Sequence, residues 1–187
     1  PQTKEAFVAA VTEGLSAAPT YFAINARINM QGYESLDSVK QKGLTALSIG
    51  EFKKHMAQDV LVLDTRPATV FTEGFVPGSI FIGLEGRFAE WAGSLLPFDK
   101  PMILVTEPGK EEESVVRLSR VGFDKMQGFL QGGFEAWQTA GEPVDMIIDV
   151  EADELAMDIP HDPNLLVVDV RREAEYADGH IKNAQLL

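Results

Sequence analysis

The spacing of apolar side chains changes character near Ala46. Before that point it is helical: Lys4 to Leu15 places Phe7, Val8, Val11 and Leu15 on one face and predicts an amphipathic helix closed near Gly14. Ala18-Pro19-Thr20-Tyr21-Phe22 then reads as a breaker followed by aromatics. Ala23 to Val39, with Ile24, Ile28, Met30, two asparagines and Gly32, predicts a second short helix running into a linker. An extension of this kind is expected to pack on a neighbour rather than carry chemistry.

From Ala46 onward, short apolar runs alternate with helical stretches, which predicts an α/β layer fold. Ala46-Leu47-Ser48 reads as a short strand whose serine caps a helix over Ile49 to Ala57, with Glu51 completing a capping box. Val60-Leu61-Val62-Leu63 is a buried parallel strand that opens into Asp64-Thr65-Arg66 at its C-terminal end, and Pro67 starts the next helix. Ile80 to Ile82 reads as a strand, and Arg87 to Leu95 as a helix with Phe88, Trp91 and Leu95 turned inward. Met102 to Val105 and Met126 to Leu130 complete the strands, and Gly132-Gly133 turns into a helix holding Trp137. Such a succession forms a parallel sheet with helices on both faces and right-handed crossovers, and ligands bind beyond its strand C-terminal ends.

A gapless internal repeat sets the domain plan. Leu61 to Ser79 (LVLDTRPATVFTEGFVPGS) aligns with Leu166 to Ala184 (LVVDVRREAEYADGHIKNA) at an offset of 105 residues. Asp64 falls on Asp169, Arg66 on Arg171, Phe71 on Tyr176, Gly74 on Gly179 and Val76 on Ile181. The period is domain-sized, so residues 46–143 are expected to form one domain, residues 144–187 the first part of a second copy, and residues 1–45 a helical tail and linker. A partial copy leaves sheet edges unpaired, so residues after about 145 are expected to pack on the first domain or on another chain. The chain opens on Pro1 and stops after a strand-like segment, and is expected to belong to a longer polypeptide.

Charge and composition narrow the chemistry. The formal net charge of -13, with no basic patch against it, argues against nucleic acid or an anionic membrane surface as partner. The sequence contains no cysteine, which removes disulfides, thiolate metal sites and thiol catalysis, and fits a reducing compartment such as the cytoplasm. No apolar run approaches a membrane span, and PQTKEAF is not a signal peptide. His55, His161 and His180 lack ligand spacing, so no metal site is expected. Gly132-Gly133 has no following Lys-Ser/Thr and is a turn, not a phosphate loop.

The candidate site is the loop between the Met102 strand and the helix that ends at Gly122: Thr106, Glu107, Pro108, Gly109, Lys110, Glu111 and Glu112. Between a strand end and a helix N-terminus, backbone N–H groups converge on a point suited to an anion or a nucleophile. Here glutamates occupy that place, and they equally serve the positive end of the helix dipole with no ligand at all. Asp64 and Arg66 are rim candidates, with a structural ion pair the simpler reading and a general base the functional one. Trp91 and Trp137 sit at amphipathic positions and are expected in the core.

Asp169, Arg171, Glu175, Tyr176, Gly179, His180 and Ile181, with the series Gly122-Phe123, Gly132-Gly133 and Ala136-Trp137, resemble the rhodanese superfamily of sulfurtransferases and related phosphatases. The N-terminal Pro19-Thr20-Tyr21-Phe22, Asn25, Asn29 and Gly32, with Arg117-Leu118 and Val121-Gly122-Phe123, look like fusion proteins in which a metallo-β-lactamase-fold hydrolase runs into tandem rhodanese domains. That resemblance implies that residues 1 to about 40 are the last helices of the hydrolase, whose metal ligands lie upstream. In working rhodaneses a loop cysteine carries sulfane sulfur as a persulfide. Counting back from Gly122-Phe123 places that position near Val105 to Glu107, where there is none. Glu107, Glu111, Glu112 and Glu113 would repel thiosulfate, Pro108 removes an N–H donor, and neither Thr106 nor Ser114 has an evident base.

The resemblance therefore implies a non-catalytic module with no catalytic residue, metal or cofactor of its own. Its partners would be the upstream hydrolase domain and the second rhodanese domain of the parent chain, with a homo-oligomer left open. The alternative is part of an active sulfurtransferase or thiol-processing metallohydrolase whose catalytic residues lie outside this chain.

Overall fold

The structure is a computed structural model and describes residues 3–12, 20–32 and 34–187. Two compact units divide the chain, Pro1–Ile147 and Ile148–Leu187. The first carries α1 (Lys4–Thr12), α2 (Thr20–Gln31), α3 (Leu36–Gly43), β1 (Ala46–Leu47), α4 (Ile49–Met56), β2 (Leu61–Asp64), α5 (Ala68–Glu73), β3 (Ile80–Phe81), α6 (Phe88–Leu95), β4 (Met102–Val105), α7 (Glu111–Ser119), β5 (Met126–Leu130) and α8 (Gly133–Thr139). Its five strands pair in parallel in the order β1-β5-β4-β2-β3.

The sheet is held from both sides because its strands are apolar on both faces. Leu63, Met102 and Leu104 point to one layer, where Phe88, Val115 and Leu118 meet them. Val62, Ile103 and Val105 point to the other, against Phe52, Phe134 and Trp137. Each such side chain taken fully out of water contributes about 1.5–3 kcal/mol. β4 lies at the centre with all four residues buried. In β5 the register slips by one residue between the pairs Met102–Met126 and Leu104–Phe129, the signature of a bulge. Gly128 sits there at φ +139°, where a Cβ would stand 2.5 Å from the Thr45 carbonyl oxygen.

Ser48 caps α4 with the reciprocal Glu51 bond that its sequence predicts. Two expectations need correction. The stretch before Val39, predicted as linker, contains α3, capped by the Ser35 hydroxyl; it buries Val39 and packs Gly43 against Val115 and Met126. α6 and the Leu96 that caps its C-terminus turn Phe88, Ala92 and Leu96 inward at four-residue spacing, and leave Trp91 and Leu95 56% and 63% exposed. Trp91 is therefore not a core residue, whereas Trp137 is, donating its indole N–H to the Pro143 carbonyl. In α1, Phe7, Val8 and Val11 are exposed; the predicted extension of that helix to Leu15 and the Ala18-Pro19 breaker lie outside the described residues.

The second unit contains α9 (Ala152–Asp158), β6 (Val168–Asp169), α10 (Glu173–Asp178) and β7 (Gln185–Leu186). β6 and β7 pair in parallel as Val168–Gln185 and Asp169–Leu186. These pairs are the counterparts, at the offset of the sequence repeat, of Leu63–Ile80 and Asp64–Phe81 in β2 and β3. The repeat thus extends from sequence to backbone register.

Candidate functional site

β4 delivers the chain to the loop at Thr106, which is buried, and residues 107–110 emerge into solvent. Glu107-Pro108-Gly109-Lys110 closes a β-turn: the Lys110 N–H donates to the Glu107 carbonyl at 3.0 Å, and Gly109 takes φ +85°. Proline first and a positive-φ glycine second in the centre of a turn make it type II. The converging N–H groups expected of the loop are thereby depleted. Pro108 has no N–H, and that of Lys110 points into the turn. On the other side, Gly133 at φ +62° lets the start of α8 approach the Thr106 carbonyl, where a Cβ would lie 3.2 Å away.

The glutamates are not a bare anionic cluster, contrary to the sequence reading. Glu112 pairs with Lys40 of α3. Glu113 accepts from Lys110 at 2.9 Å and lies 3.6 Å from Arg117, one helical turn on. The hydrogen bond from Lys110 holds the Glu113 carboxyl below the usual carboxylate range, and the same bond raises the Lys110 ammonium, with the Glu107 and Glu85 charges adding to it. Arg117 also donates to the carbonyls of Leu84 and Gly86 and lies over the Phe88 ring, so it ties the segment after β3 to α7. Lys40 thus neutralises an acid that local sequence leaves alone, while Glu113 is met by Lys110 and Arg117 from three residues before and four after it.

Ser114 is buried and its hydroxyl is engaged, donating to the Lys110 carbonyl at 2.8 Å and lying 3.2 Å from the Thr65 hydroxyl. Neither contact is with a base that would activate it. Asp64 and Arg66, expected on an open polar rim, are instead inside: Asp64 is fully buried and the Arg66 side chain is 4% exposed. Arg66 Nη2 donates to Asp64 Oδ2 at 2.7 Å and to the Gly74 carbonyl at 2.8 Å, and the guanidinium lies 4.2 Å from the Phe134 ring centroid. The pair clamps the end of β2 to the end of α5, and the ring shuts it from solvent.

Beyond the strand ends lies a cleft of about 630 Å³ whose walls include Thr65, Glu85, Trp91, Leu95, Glu107 and Lys110. The structure therefore brings the loop to the predicted side of the sheet and adds Thr65, Glu85 and Trp91, which no local motif singles out. His55 lies on α4, while His161 and His180 belong to the second unit. Among the described residues no group of three His, Cys, Asp or Glu side chains is placed to hold a metal, and no helix is long and apolar enough to cross a membrane.

A parallel sheet of this order, with the strand-loop-helix at its centre and a second copy of the β2-α5-β3 segment, has a match among known families. Residues 48–140 and 151–187 match the Rhodanese-like domain. The chain belongs to that family. Structures with a similar fold include the Alr3790 protein from Anabaena sp., 22% identical over 55% of this chain and 94% of that one, with a TM-score of 0.48. The BH2092 protein from Bacillus halodurans is 16% identical over 72% of this chain and 96% of that one, with a TM-score of 0.46. A variant of EanB in complex with hercynine is 14% identical over 83% of this chain and 42% of that one, with a TM-score of 0.50. Likenesses at this identity concern the fold alone. No curated protein matches the sequence.

Proposed function

We propose that this rhodanese-like chain has no sulfurtransferase chemistry of its own and acts by positioning domains or binding a partner at the 106–112 loop. One observation carries the reading. The residue that heads the loop where β4 ends is a buried threonine, and the sequence has no thiol anywhere to hold sulfane sulfur. A thiolate is the species that attacks in persulfide formation, and the nearby Ser114 and Thr65 hydroxyls bond to each other and to backbone. The type II turn, which consumes or lacks two of the loop's N–H groups, supports the same reading.

In this proposal the larger protein is a metallo-β-lactamase-fold hydrolase or a persulfide-handling enzyme in the cytoplasm, working at residues outside this chain. That part rests on the N-terminal and Arg117-to-Phe123 motifs, since the family match covers the rhodanese-like segments only. No cofactor is assigned to this chain. The test is sulfur transfer from thiosulfate to cyanide by the 187-residue protein. Thiocyanate should form no faster than in buffer, and turnover clearly above that blank would overturn the reading.

A further inference from the structure

The cleft beyond the strand ends holds charges that the fold uses and charges that it does not. The cations Lys110 and Arg117 are committed: Lys110 donates to Glu113 at 2.9 Å, and Arg117 lies 3.6 Å from the same carboxylate while donating to the carbonyls of Leu84 and Gly86. Glu85 and Glu107, on the walls of the same cleft, are exposed and, among the described residues, have neither a hydrogen bond nor an ion pair. Trp91 and Leu95 stand one turn apart on α6, border the cleft and are open to water. The packing of α6 on the sheet does not need them, since Phe88 and Ala92 already fill that role. A concave surface that combines an exposed indole and an exposed leucine with uncommitted carboxylates has the composition of a binding site.

We propose that this cleft binds a basic peptide segment of a partner protein, with an arginine laid on the Trp91 ring, its guanidinium turned to Glu85 and Glu107, and an apolar neighbour resting on Leu95. Charge selects the sign of the occupant. The cations of the wall are spent on Glu113 and on backbone carbonyls, so the carboxylates left over favour a cation and repel an anion. The formal net charge of -13 acts in the same direction at longer range, and it steers a segment carrying several positive charges more strongly than a single small cation. The indole face selects arginine, whose planar guanidinium stacks on an aromatic ring while its edge still donates to carboxylates. Trp91 and Leu95, four residues apart on one helix, form a ledge longer than one side chain, which suits a run of chain rather than an isolated amine. The proposal rests on the reading that the 106–112 loop binds a partner and carries out no sulfur transfer, and it names the chemistry of that partner.

Trp91 reports directly on the cleft, because Trp137, the other tryptophan of the sequence, is buried. The experiment titrates the 187-residue protein at low salt with the blocked peptide Gly-Arg-Leu-Arg-Gly and follows tryptophan emission. Expected are a saturable emission shift with a dissociation constant below about 1 mM, weaker binding as salt is added, and no saturable response to the same peptide with glutamates in place of arginines. Glu85→Gln combined with Glu107→Gln should weaken binding about 10-fold while leaving the urea midpoint unchanged. No saturable response to the basic peptide, an equal response to the acidic one, or undiminished binding by the double variant would each overturn the proposal. Blocked arginine binding as tightly as the peptide would also overturn it and assign the cleft to a small cation. The two readings fail separately, since thiocyanate formation decides whether the loop is catalytically silent and peptide binding decides what it holds.

Discussion

Arg66 and Arg171 make the same bonds, each to the aspartate two residues before it and to the carbonyl of the glycine eight residues on, in different surroundings, so their removal should have different consequences. Truncating Arg66 leaves the Asp64 carboxylate buried and unpaired, a change that costs about 3–5 kcal/mol. Arg66→Ala should therefore lower the urea midpoint of the first unit by that free energy. Arg171→Ala removes a pair whose arginine is 46% exposed, so the interaction is partly screened; it should destabilise the 187-residue protein by clearly less than Arg66→Ala does. Asp169 gives an independent check. The hydrogen bond from Arg171 lowers its carboxyl from 3.8 to about 2. Because the folded value is depressed, its contribution to stability is present above the ordinary carboxylate range and is lost as pH falls through about 2. Carbon-detected NMR titration should find the Asp169 midpoint near 2, returning to the ordinary range in Arg171→Ala; an ordinary midpoint in the unmodified protein would contradict the clamp.

Elements show where local sequence suffices and where it does not. The Ser48–Glu51 capping box was legible because both partners lie within one helical turn. Ser48→Ala should cost about 0.5–2 kcal/mol of stability, measured by urea unfolding. The central strand and its turn were equally legible, since a short apolar run and a Pro-Gly pair act through backbone preference alone. α3 was not, because its sequence is polar apart from Leu36 and Val39, and its place is set by Gly43 fitting between Val115 and Met126. A methyl group there would stand 3.0 Å from both Val115 Cγ atoms, so Gly43→Ala should destabilise the first unit by about 1–3 kcal/mol, again read from the unfolding midpoint. Trp91 and Leu95 misled for a related reason. Helical spacing allows two adjacent stripes on α6, and only packing of Phe88, Ala92 and Leu96 decides which faces the sheet. The burial of Asp64 and Arg66 was hidden as well, since the covering ring of Phe134 comes from an element 68 residues further on.

For the whole molecule, the repeat was the most informative feature of the sequence, and it recurs in the strand register and in both clamps. What the sequence conveyed less well was the electrostatic character of the loop. Counted along the chain, four glutamates surround it; in the fold, Lys40 arrives from 72 residues before its partner Glu112, and Arg117 meets Glu113 one helical turn on. The site is consequently less repulsive than its composition implies, and the case against sulfur chemistry rests on the missing thiol and the spent N–H groups. Both claims meet at the loop amides. Titrating the 187-residue protein with thiosulfate while following the amide NMR signals of Gly109, Glu111 and Glu112 tests them most directly. The account predicts no saturable shift at these three positions, and a saturable shift confined to them would show an anion cradle still in place.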